Sequence, residues 1–188
     1  MKIRFFLCLL VLALAPPSLA QTPCVGQASV VSADTAAFLV QAPPGWILDC
    51  EAGKDQGPLT VLYRTGESWG TGAAVMYVSV LTDHQVHPRP DAERIDAEVA
   101  DWRGRAPDVH VAVLPPLITS RGNGSKAEVR RFQSASEHLF EIAAYVPRSR
   151  IMPLLVMTAR NPRAFQEALP AFRLLVRSYE PATLKVVR

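Results

Sequence analysis

The sequence predicts an α+β fold, an antiparallel β-sheet packed by helices in a single domain, and three observations carry that expectation. Short apolar runs bounded by Pro and Gly recur from residue 36 to residue 159, and two of them, Ala73–Leu81 and Ile151–Ala159, scarcely alternate with polar residues. Two segments, Asp91–Arg103 and Asn161–Tyr179, carry apolar residues at helical period. The order is strands, helix, strands, helix, and no period of 20 to 50 residues repeats.

The first twenty residues stand apart. Lys2 and Arg4 precede an uninterrupted apolar stretch, Phe5–Ala15, and Pro16-Pro17-Ser18-Leu19-Ala20 closes it with small residues at the −3 and −1 positions. This is the pattern of a secretory signal cleaved after Ala20, with an apolar run too short for a stable membrane anchor. The chain has 188 residues, 20 Lys and Arg and 17 Asp and Glu. Removing the signal leaves 18 basic side chains against 17 acidic ones, so the whole-chain charge of +3 falls to +1. The mature chain of 168 residues has the length for one domain with a substantial core. Near-neutral charge gives no support for nucleic acid as a partner, and the mature chain is not expected to span a membrane. The expectation is therefore an exported protein, periplasmic or secreted, whose partner is another envelope protein.

Cys8 leaves with the signal, so the mature chain keeps Cys24 and Cys50. An even pair in an exported protein reads as a disulfide, and closing a loop of this length is worth roughly 3–4 kcal/mol. No C-x-x-C spacing points to redox or metal chemistry. The bridge would tie residues 21–35 to a domain spanning 36–180, with 181–188 as a tail.

The elements follow in order. Phe38-Leu39-Val40 and Trp46-Ile47-Leu48 flank Pro43-Pro44-Gly45, which forbids a continuous strand. Leu59–Tyr63 is a strand, followed by a glycine-rich loop over 64–72. Ala73–Leu81 reads as a central strand covered on both faces. In Asp91–Arg103 the residues Ala92, Ile95, Val99 and Trp102 form one stripe, with acidic residues on the other positions as a solvated face. Val109–Leu114 stops at Pro115-Pro116. Gly122-Asn123-Gly124 turns a hairpin into Lys126–Gln133, and the formal glycosylation acceptor Asn123-Gly124-Ser125 is explained by that turn. His138–Val146 follows. Ile151–Ala159 is a second central strand, with Pro153 near its start or at a bulge. Asn161 caps the last helix, Pro162 fits its first position, and Pro170 falls inside it.

Phe38-Leu39-Val40 with Pro43-Pro44-Gly45-Trp46, the mid-chain helix between hairpins, and the closing Phe172-Arg173-Leu174-Leu175-Val176-Arg177-Ser178-Tyr179 resemble the Mog1/PsbP/DcrB-like group over about residues 36–180. The resemblance implies an αβα sandwich and a non-enzymatic, protein-binding role. That group shares no catalytic residues, so none carries over.

The residues that suggest chemistry are few. Gly66-Glu67-Ser68-Trp69-Gly70 satisfies G-x-S-x-G, but a strand rather than a helix follows it, and the hydrolase elbow needs a helix. A hydrolase using Ser68 is therefore the weakest reading. His84 and His87, three apart beside Asp83, are short of the ligand set a Zn²⁺ site requires and read as surface histidines. Trp69 either stands out of its glycine-rich loop as a binding anchor or folds back over the core. The expectation is a binding module without cofactor, metal or catalytic residues, in which Arg64, Glu67, Trp69, His84 and His87 present the partner surface. A specialised alternative is an inhibitor or immunity protein that blocks a partner enzyme.

Overall fold

The computed structural model describes residues 25–26, 28–33, 36–82, 89–119, 124–148 and 151–182. Its strands are β1 (Val25–Gly26), β2 (Ala28–Ala33), β3 (Ala36–Gln41), β4 (Trp46–Asp49), β5 (Thr60–Arg64), β6 (Ala74–Thr82), β7 (His110–Ile118), β8 (Lys126–Ser134), β9 (Leu139–Tyr145), β10 (Ile151–Ala159) and β11 (Glu180–Ala182). The helices are α1 (Asp91–Arg105) and α2 (Pro162–Ser178). The signal segment, Cys24, the loop holding His84 and His87, the turn residues Gly122 and Asn123 and the tail beyond Ala182 lie outside the described residues.

Eight strands form one antiparallel sheet in the order β1-β4-β5-β6-β10-β9-β8-β7. The two runs that scarcely alternate are its middle: β6 and β10 pair along their full length, from Ile151 opposite Thr82 to Ala159 opposite Ala74. Successive side chains of a strand point to opposite faces. Leu155, Met157 and Ala159 accordingly enter the core under α2, while Met152, Leu154 and Val156 enter the core under α1. A strand buried on both sides has no polar face to show, which is why its sequence does not alternate. The class is α+β, with one helix on each face of the sheet.

The two helices cover their faces unequally. On α2, Phe165, Ala168, Phe172, Leu175 and Val176 form a broad buried stripe. Asn161 starts the helix as its sequence predicts, its side chain accepting the Ala164 N–H at 2.8 Å. On α1 the buried apolar residues are only Ile95 and Val99, with Trp102 packed at the edge against Phe132.

A small second sheet, β11-β3-β2, closes the domain. The turn at Pro43-Pro44-Gly45 separates β3 from β4 and so divides one sheet from the other. Trp46 N–H donates to the Pro43 carbonyl at 3.0 Å, and Gly45 takes φ 77°. β3 pairs with β11, Leu39 opposite Glu180 and Ala37 opposite Ala182. Beside that pairing the Phe38 and Tyr179 rings pack at 5.4 Å, and Gln41 N–H donates to the Ser178 hydroxyl at 2.9 Å. Residues 181 and 182, expected to begin a loose tail, are thus part of a strand, and the expected N-terminal segment carries β1 and β2.

A second difference concerns β7. It was expected to stop at Leu114 but runs through Pro115-Pro116 to Ile118, with the register slipping between Leu114 and Leu117. β7 is the outermost strand, so prolines there remove no ladder bond from the sheet's interior.

The burial pattern of α2 predicts the outcome of two substitutions a little over half a turn apart. Phe172 is fully buried and Leu174 is 44% exposed. Phe172→Ala is expected to cost about 3–5 kcal/mol in urea unfolding and Leu174→Ala less than about 0.5 kcal/mol.

Candidate functional site

The loop between β5 and β6 folds back rather than standing out. Its turn is closed by Thr71 and Gly72 N–H groups donating to the Ser68 carbonyl at 3.2 and 2.9 Å. The Ser68 hydroxyl lies 2.7 Å from that of Thr71, and the chain then enters β6. Trp69 is half-buried, edge-on to Tyr77 with centroids 6.1 Å apart, and its indole N–H donates to Gln56 Oε1 at 3.0 Å. Gly53, at φ 82°, makes this possible: a Cβ there would lie 2.8 Å from Val61 Cγ1 and 3.4 Å from the indole nitrogen. The part of Trp69 left uncovered lines a cleft of about 260 Å³ with Glu137, His138 and Arg160.

The other residues singled out in the sequence do not join it. The Arg64 guanidinium lies over Trp46, 5.8 Å from the ring centroid, and Trp46 belongs to the core under α2. Tyr77, which holds Trp69, packs against the core under α1. Arg64 and Trp69 are therefore directed to opposite faces of the sheet. Glu67 is half-buried, with Oε2 lacking a hydrogen-bond partner. His84 and His87 lie outside the described residues. Among the described residues no three His, Cys, Asp or Glu side chains are grouped to hold a metal.

A better-formed concavity lies between the last helix and the strand expected to stop at Pro115-Pro116, where the sequence singled out no site. α2 packs over β10, β6 and β9 and also reaches the outermost strand β7. Phe165 and Leu169 of α2 face Leu114 and Leu117 of β7 across a groove of about 350 Å³, and Arg131 and Arg173 stand in its walls. The groove leads into a second hollow of about 370 Å³ lined by Leu117, Ile118, Arg173 and Arg177. Ile118 is 60% exposed and Val113, also on β7, 69%. Arg131 Nε is sealed from water and has no acceptor. Arg173 and Arg177 stand one turn apart on α2, but Arg131 comes from β8, about forty residues earlier, so no local pattern announces the set.

On the other face, α1 covers ionisable groups. Glu141 of β9 is 4% exposed, and burial, reinforced by the neighbouring Glu98 charge and opposed by Arg105, pushes its carboxyl up to about 8. Glu98 is also raised, chiefly by burial. Tyr77 and Tyr145, beside the same carboxylates, are raised by burial first and by those charges second.

No family model matches the chain, and no curated protein matches it. The fold-level resemblance expected from the sequence has a counterpart among solved structures: the chain is similar to the solution structure of cyanobacterial PsbP (CyanoP) from Synechocystis sp. PCC 6803. The two are 13% identical, with a TM-score of 0.48, over 89% of this chain and 100% of that one.

Glu141 predicts a pH dependence whose sign is set by its raised value. Between about 4.5 and about 8 the folded chain keeps a proton that the unfolded chain has released, so the stability present at low pH is lost as pH rises through that window. The slope approaches 1.4 kcal/mol per pH unit, about the worth of one pKa unit. Urea unfolding at pH 5, 6.5 and 8 is expected to show this decline in the wild-type chain. Glu141→Gln should flatten it and be the more stable protein at pH 8.

Proposed function

We propose that the chain is an exported, non-enzymatic binding module that docks an extended, acidic segment of another envelope protein in the groove between α2 and β7. The groove itself carries this reading. β7 is bonded to β8 on one side only and ends the sheet, so the backbone over His110–Leu114 offers an edge to which an extended segment can add. The walls supply apolar surface at Leu114, Leu117 and Ile118, and guanidinium groups at Arg131, Arg173 and Arg177 suit carboxylates. Two observations favour binding over catalysis. The Ser68 hydroxyl is engaged with Thr71, and Glu141, the carboxylate raised furthest, is buried beneath α1 and lines none of the clefts described above.

Export rests on the n-region, apolar stretch and small-residue end of residues 1–20, and among the described residues no helix is long and apolar enough to cross a membrane. A Cys24–Cys50 disulfide accords with that compartment. β1 and β4 pair with Val25 opposite Asp49 and Gly26 opposite Leu48, so β1 lies beside the strand that Cys50 follows.

Two measurements test the proposal. A photo-reactive residue at position 118, in cells exporting the protein, is expected to give a discrete adduct that a residue at position 55 does not, reduced about tenfold by Arg173→Glu with Arg177→Glu. An adduct indifferent to those charge reversals overturns the groove assignment. The exported chain is expected to begin at Gln21 and to lose thermal stability when reduced. An unfolding midpoint unchanged by reductant overturns the disulfide.

A further inference from the structure

We propose that the cleft between β6 and the first turns of α1 binds a small anionic molecule, bearing a carboxylate or phosphate group, through Arg94. This site lies on the face of the sheet away from the α2–β7 groove and stands independently of it.

Arg94 belongs to α1 but is only 3% exposed. Its Nη2 donates to the Asp91 carboxylate and to the Arg148 carbonyl, the latter at 2.7 Å. Nε and Nη1 are sealed from water and have no acceptor at all. Asp91 is itself 41% exposed and shares its charge with solvent, so the buried cation is incompletely compensated. Leaving guanidinium donors unpaired in a dry site is costly, and a permanently charged group cannot relieve the cost by losing its proton.

The same side chain lines a cleft of about 340 Å³. That volume exceeds what a single water or bare ion fills and falls in the range of small-molecule sites. Thr82 and Arg89, both exposed, stand at its solvent side, so a second guanidinium adds positive potential to the path inward. α1 begins beside it with Pro90 at the N-cap, which has no side-chain oxygen to take the first-turn N–H groups, and the positive end of the helix dipole adds to the same field. Glu98 also lines the cleft. Its carboxyl is held above the ordinary range by burial, so it opposes an anion less than an exposed glutamate would. Nε and Nη1 are sealed in the unliganded chain, so an anion seated here would draw that edge of the guanidinium into the cleft and complete the charge that Asp91 supplies only in part.

The test is calorimetric titration of the mature chain with inorganic phosphate and, separately, with succinate, against chloride at matched ionic strength and pH. Saturable binding of at least one probe is expected, weakened about tenfold or more by Arg94→Lys. Ala97→Leu, which fills the cleft from an exposed helix position and leaves Arg94 intact, is expected to abolish it. Binding of phosphate alone assigns a phosphoryl ligand, and binding of succinate alone a carboxylate. No saturable binding beyond chloride, or binding unchanged in both variants, overturns the proposal.

Discussion

The double burial of β6 and β10 is the constraint on which the rest of the molecule depends. Two strands paired over nine residues, with apolar side chains on both faces, cannot remain in water on either side. Each face therefore requires its own helix, and the chain supplies one after β6 and one after β10. α2 reaches across its face to the outermost strand β7, and the groove lies along the junction of the two. On the face that α1 covers, Trp69 adds to the packing by setting its ring edge-on to Tyr77 of β6.

The two faces are chemically different. Beneath α2 the core is apolar and rich in aromatic rings, and charge meets it at its margin through Arg64, Arg131 and Arg173. Beneath α1 the sheet carries Glu141, Tyr77 and Tyr145, and the helix adds Glu98 and buried Arg94. A helix with two buried apolar residues and several ionisable ones is held less by hydrophobic burial than its counterpart, and more by the protonation states of what it covers. The proposed partner groove and the proposed anion cleft, with the carboxylates of raised proton affinity, lie in this way on opposite sides of one sheet.

What could be read from the sequence was local. Ile151–Ala159 matches β10 residue for residue, the Asn161 cap and Pro162 start are as expected, and α1 differs only by two residues at its end, because these features depend on neighbours within a few positions. β7 past Pro115-Pro116 was not legible, since a proline breaks an inner strand and is tolerated at an edge, and which strand is at the edge is a property of the whole sheet. Glu141 sits in an apolar run and Arg94 among acidic helix residues. Neither announces that it is buried, because burial is decided by a partner element far along the chain. Of the loop residues expected to present a surface, Arg64 ends β5 and lies over Trp46, while Trp69 is turned by the loop onto Tyr77, so the two pack against opposite faces. The arginines of the groove come from β8 and α2 and meet only in three dimensions.

The β3–β11 pairing has a kinetic consequence. It joins residues from near the two ends of the described chain, and the Gln41–Ser178 hydrogen bond beside it spans 137 positions. Closing so long a loop carries an entropy cost that grows with the logarithm of its length, and such a contact is gained only when the intervening structure has shortened the effective separation. Phe38 and Tyr179, which seal the end of the α2 core, are therefore assembled late. A chain emerging from its N-terminus first cannot complete this seal until Ala182 has followed, and until then the end of its larger core stays open to water.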